Sequence, residues 1–164
     1  MTERFAIPGV GGIIEYKEEG QVHVLLQERI KPHAPKENGL LEIPAGKLRE
    51  FESVYDGLRR EVREETGLLV VEIQGENEAR MHIAHDYKVL QYQPFSTSLN
   101  LNEDYPIMVQ VFICRVDGKE TAVNDEARGH RWVTLDELRE LCDSADRIYP
   151  MHVSTLRQYL ELKT

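Results

Sequence analysis

The chain has 164 residues, with 29 acidic against 20 basic side chains and a formal net charge of −9 at pH 7. That length suits a single domain with one substantial core. The acidic balance argues against broad electrostatic binding to nucleic acid or anionic membranes, while leaving room for a nucleotide held by a local basic patch and a metal.

Cys114 and Cys142 show neither a C-x-x-C nor a zinc spacing and read as reduced structural thiols. The N-terminus, MTERFAIPGVGG, lacks a signal-peptide core, and even the apolar run IMVQVFIC contains Gln110. These features predict a cytoplasmic protein with neither a membrane nor a nucleic-acid partner.

In chain order, residues 5–16 and 21–29 read as two strands turning around 17–20, because QVHVLLQER alternates and begins with β-branched residues. KPHAPKENG, residues 31–39, is turn-rich and reads as a mobile loop. LLEIP is a short strand. Ser53 followed by Asp56 is a capping-box pattern opening a helix that reaches Thr66. Gly67 sits where that helix ends most easily, since a residue without Cβ adopts the left-handed conformation at no steric cost. Val54, Leu58 and Val62 recur every four residues and predict a buried stripe. Strand-like segments follow near 68–75 and 87–94, then a polar loop over 96–106. IMVQVFICRV is a buried strand and HRWVTL a short one, in which Trp132 reads as packing rather than a base-stacking platform. A helix starts at Thr134, and a last one covers 151–162 with Leu156, Tyr159, Leu160 and Leu162 as its apolar positions. No linker or repeat interrupts residues 1–164, and the alternation alone supports α/β or α+β.

The chemistry concentrates in residues 46–68, GKLREFESVYDGLRREVREETGL. Glu61, Glu64 and Glu65, at i, i+3 and i+4, project from one side of the predicted helix, beside the apolar stripe. Carboxylates this close raise one another's pKa unless a cation neutralises them. A hard divalent ion such as magnesium prefers oxygen ligands and binds substrate phosphates as well. Arg59, Arg60 and Arg63 are interleaved, with Arg60 able to pair with Glu64, so a salt-bridged solvent face would look similar. Such a face would not require Glu52 and Gly46 upstream.

The fixed points Gly46, Glu52, Arg60, Glu61, Val62, Glu64, Glu65, Gly67 and Leu68 follow the spacing G-x5-E-x7-R-E-U-x-E-E-x-G-U, where U is aliphatic. This resembles the Nudix hydrolase signature at every position, and average residue usage makes a chance match rarer than about one in a million. The resemblance implies the Nudix fold, an α/β architecture with a mixed sheet between helices. It also implies hydrolysis of a nucleoside diphosphate linked to another group, with Mg2+ as cofactor and Mn2+ as a possible substitute. Glu61, Glu64 and Glu65 are then the metal region, Glu61 and Glu65 being the direct ligands. Glu52 is a further ligand or the partner that orients Arg60, and Arg60 fixes the carboxylates. Gly46 acts through its carbonyl and a tight turn, or is an ordinary turn glycine.

Several relatives place the base on a later loop, before an Arg-Trp pair. In NDEARGHRWVTLDEL this points to Glu126 as base or extra ligand, with Asp125 and Glu64 as rivals. Pro44–Ala45–Gly46 resembles the ADP-ribose and sugar-nucleotide branch, where Arg29 would lie near the phosphates or else be a surface charge. Against this, His82 stands where that branch often has proline, Phe51 replaces a common glycine, and Gly57 a common alanine. Gly57 should weaken the helix by about 1 kcal/mol. The histidines form no zinc pattern and read as surface or hydrogen-bonded groups, although His33 could meet a substrate. The partner expected is a small nucleotide, and relatives often form homodimers. The alternatives are hydrolysis of a nucleoside triphosphate or dinucleoside polyphosphate, or a Nudix-fold module that binds nucleotide without turnover.

Overall fold

A computed structural model of the chain describes residues 2–117 and 127–164. In chain order the elements are β1 (Ile7–Glu18), β2 (Gln21–Arg29), β3 (Leu41–Glu42), β4 (Ala45–Lys47), α1 (Val54–Thr66), β5 (Leu69–Ile73), β6 (Arg80–Ala84) and β7 (Tyr87–Gln91). Then follow β8 (Ser96–Leu99), β9 (Ile107–Asp117), β10 (Ala127–Thr134), α2 (Leu135–Ser144) and α3 (Pro150–Leu162). The main sheet runs β10-β2-β1-β9-β5, with β3 added to β2, β4 to β1 and β8 to β9. β1 and β9 are parallel, whereas the other pairs are antiparallel, so the sheet is mixed.

Helices cover both faces because the central strands are apolar on both. Ile13, Val24, Leu26, Val111 and Ile113 face the layer that includes Leu138 and Cys142 of α2 and Leu156 and Tyr159 of α3. Their neighbours Val10, Ile14, Leu25 and Phe112 face Val54, Leu58 and Val62 of α1. This period-two alternation is why one sheet separates two cores. Each fully buried aliphatic or aromatic side chain contributes about 1.5–3 kcal/mol.

Helix α1 begins at Ser53, whose side chain accepts from the Asp56 N–H, and ends at Gly67 with φ 77°. The full capping box forms at α2 instead, between Thr134 and Glu137. The segment 96–106 is not all loop: β8 pairs with β9, and Ser96 bonds to Thr155 of α3 at 2.7 Å. Strands β4 and β6 also lie outside the expected set, and Leu162 is more than half exposed rather than an anchor of α3. Cys114 and Cys142 are buried and unpaired, and burial pushes the Cys114 thiol up to about 12. No helix among the described residues is long and apolar enough to cross a membrane.

Candidate active site

The site forms where α1 crosses the strand carrying Gly46. β4 lies antiparallel to β1, with Gly46 opposite Val10. A Cβ added to Gly46 would lie 2.1 Å from Glu61 Cδ. Glycine is therefore required by the approach of a carboxylate, in an extended strand rather than the tight turn expected.

Arg60 organises the acids. Its Nε and Nη2 donate to the two oxygens of Glu52 at 2.7 and 2.9 Å, a bidentate pair. Nη1 donates to Glu61 at 2.5 Å and to Glu64 at 3.4 Å, while Nη2 also reaches the Lys47 carbonyl at 3.0 Å. The hydrogen bonds from Arg60 hold the Glu52 carboxyl down at about 2, and the same bonds raise the Arg60 pKa. Glu52 is thus placed as a partner of Arg60.

The three glutamates do not share one environment. Glu64 is about half exposed, 3.7 Å from Arg49. Glu61 is mostly covered, between Arg60 and Gly46. Glu65 is partly buried, accepting from Gln27 Nε2 at 2.7 Å and from the Ala45 N–H at 3.3 Å. Burial pushes its carboxyl up to about 8, and the Glu42 and Glu61 charges add to the rise. Desolvation thus outweighs mutual repulsion as the cause.

Sequence reasoning missed Gln27, Glu42, Tyr149 and His152, which come together from β2, β3 and the start of α3. Glu42, buried on β3, takes a 2.7 Å ion pair from Arg29 Nη1, and Glu37 takes another from Arg29 Nε at 2.7 Å. The Arg29 guanidinium lies 3.7 Å above the Tyr149 ring. Arg29 is therefore a held, largely buried cation at the cleft wall, not a loose surface charge. His152 Nδ1 accepts from the Ile43 N–H at 3.3 Å, and burial holds its pKa down at about 3, so it stays neutral.

The cleft is lined by Gly46, Glu61 and Glu65 together with Arg29, Tyr105, Tyr149, Lys31 and Lys47. Such a site can take an anionic group and a cation together. Among the described residues, no three acidic, histidine or cysteine side chains already converge as a metal cage. The donor chemistry nevertheless fits a hard divalent ion: Glu61 and Glu65 offer oxygen, and a cation would favour ionised Glu65. Glu126 and Asp125 lie outside the described residues.

A family profile for the NUDIX domain matches residues 7–152. The chain belongs to the Nudix family. It is a Nudix pyrophosphohydrolase, with the signature residues gathered at the sheet and helix just described. A curated relative, the ADP-ribose pyrophosphatase of Bacillus subtilis (strain 168), is 27% identical over 160 residues, covering 95% of this chain and 74% of the relative. The NUDIX domain of Shewanella oneidensis NrtR complexed with ADP ribose superposes with a TM-score of 0.67 at 14% identity, over 99% of this chain and 91% of that one. A MutT protein from Methanosarcina mazei Go1 gives 0.62 at 21% identity over all of both chains. At those identities the two structures show the shared fold.

Proposed function

We propose that the chain is a magnesium-dependent pyrophosphatase acting on an ADP-ribose-like nucleoside diphosphate derivative. The observation that carries this reading is the presence of Glu61 and Glu65 with Arg29, Lys31 and Lys47 in the lining of one cleft. Acids to hold a cation share it with bases to hold phosphate oxygens. The substrate class is supported by the Pro44–Ala45–Gly46 triplet and by the activity of the Bacillus subtilis relative.

Glu61 and Glu65 would hold the metal, with the Gly46 carbonyl as a further candidate ligand. When bound, that ion supplies positive charge where the diphosphate concentrates negative charge and makes nearby water more acidic. Arg60 keeps Glu61 in place and is itself braced by Glu52. Arg29, held by Glu37 and Glu42, adds a fixed positive charge in the same cleft. Water attacks one phosphorus of the diphosphate and the P–O–P bond breaks, giving AMP and a sugar phosphate. The proton passes to a carboxylate: Glu64 on the open side of α1 or, just before β10 in the sequence, Glu126 or Asp125.

The test is a panel of ADP-ribose, sugar nucleotides, nucleoside triphosphates and dinucleoside polyphosphates with Mg2+ or Mn2+, products being resolved by chromatography. AMP with ribose 5-phosphate as the main products supports the reading. A nucleoside monophosphate with pyrophosphate would move the chain to the triphosphate class. No turnover despite metal binding would favour a nucleotide-binding module.

A further inference from the structure

Gln27 is 1% exposed, in a strand where Val24, Leu25 and Leu26 are completely buried. It stands directly opposite Glu42 in the β2–β3 register, which sets the two side chains on one face. Its Nε2 donates to Glu65 at 2.7 Å and reaches Glu42 at 3.5 Å. Its Oε1 is buried without a hydrogen-bond partner.

The facing groups explain that orientation. Glu65 Oε2 and Glu42 Oε1 both accept from the Gln27 Nε2, so the donor end of the amide turns toward the two carboxyl groups and the acceptor end is left over. A buried orphan carbonyl costs desolvation that an apolar side chain of similar shape would avoid. What the amide supplies and an apolar chain cannot is its bond to Glu65. That bond and the longer one from Ala45 both end on Oε2 of Glu65. Oε1 takes neither, and Glu65 lines the cleft.

We infer that Gln27 is a positioning residue for the hydrolytic site: it grips Oε2 of Glu65 and thereby commits Oε1 to a divalent cation in the cleft. The inference rests on the reading of Glu65 as a metal ligand. Partners that orient a ligand in this way are worth about 10–100-fold in metal affinity or activity.

The experiment is a double-mutant cycle read by Mn2+ affinity, from the spin-resonance signal of free Mn2+ in the intact chain, alongside kcat. Gln27→Met keeps the shape and removes the donor. Its expected effect is Mn2+ binding weakened by about tenfold or more in the parent, and almost unchanged in the Glu65→Gln background. Equal weakening in both backgrounds, or none in the parent, would overturn the positioning role. If Glu65→Gln alone leaves Mn2+ affinity intact, the underlying reading of Glu65 fails instead. Should Gln27→Met not fold, Gln27→Asn, which withdraws the amide by one methylene, takes its place in the cycle, and the same outcomes support or overturn the role.

Discussion

The carboxylate of Glu61 occupies the space that a side chain on Gly46 would need, with the carboxyl carbon 2.1 Å from the ideal Cβ position. Gly46→Ala therefore displaces Glu61 rather than the backbone. A flexible side-chain end can move at small energetic cost, so stability should change by about 1 kcal/mol or less. Turnover should fall by about tenfold or more, because small misplacements of catalytic groups are expensive. Paired measurements of melting temperature and kcat check this; wild-type kcat would sink it.

Two positions beside Glu52 differ in what their backbone asks for. Phe51 is 99% exposed with φ 63°, so it bears left-handed strain and buries nothing in return. Phe51→Gly should stabilise by up to about 1 kcal/mol, raising Tm by roughly 2–4 °C.

Gly57 answers differently. A Cβ there would lie 2.5 Å from Leu48 Cδ2 and 3.2 Å from Glu52 Oε2. Helix propensity alone predicts that alanine would strengthen α1, but close packing of the loop against the helix overrides it. Gly57→Ala should destabilise by about 1 kcal/mol and weaken the Glu52–Arg60 brace. A rise in Tm would refute this role of packing.

Acidity links Glu65 to stability. Its pKa of about 8 in the fold stands against 4.5 for the free side chain, so the folded chain holds a proton that the unfolded chain has released. Its contribution to stability therefore declines as pH rises from about 4.5 to 8. Glu52 has the opposite sign: its depressed pKa contributes stability above about 4.5, lost as pH falls toward 2. Between pH 7 and 8.5, clear of Glu52 and of buried His152, metal-free protein should lose melting temperature and Glu65→Gln should flatten that slope. Mg2+ should bind more tightly as pH rises through 8, since protons compete for the same oxygen. Thermal scans with and without Mg2+ measure both effects, and an unchanged slope in the variant would reject the assignment.

Arg29 and Glu42 are mutually dependent, each about one-tenth exposed at a separation of 2.7 Å. Arg29→Met leaves a buried carboxylate with little compensation and should cost about 3 kcal/mol, or roughly 10 °C in Tm. Adding Glu42→Gln should recover much of the loss. Additive destabilisation in the double variant would show that the two act separately.

Much of this was legible in the sequence where local rules act. Ser53, Gly67 and the four-residue stripe locate α1 because capping and amphipathicity are properties of one segment. β2 and β9 are equally visible through their apolar alternation. β4 and β8 are not, since β4 is only three residues long and β8 is Ser- and Thr-rich, answering to Thr155 of α3 rather than to an apolar core. The signature shows three similar glutamates, whereas the fold gives each its own surroundings: Arg60 and Gly46 for Glu61, solvent for Glu64, Gln27 and Ala45 for Glu65. That distinction depends on Gln27, Glu42 and Gly46, which belong to other strands, and no periodicity connects residues 27, 42 and 65.

The parallel pairing of β1 with β9 sets Ile7 beside Ile107 and continues to Glu15 beside Arg115. Those partners are a hundred positions apart, so the sheet's centre closes only when distant parts of the chain meet. A ribosome exposes the complete acidic helix long before β9 exists. Nascent chains that stop short of Ile107 carry the entire hydrolase signature but lack the strand that joins β1 to β5, so the sheet that seats the signature closes only after β9 is made.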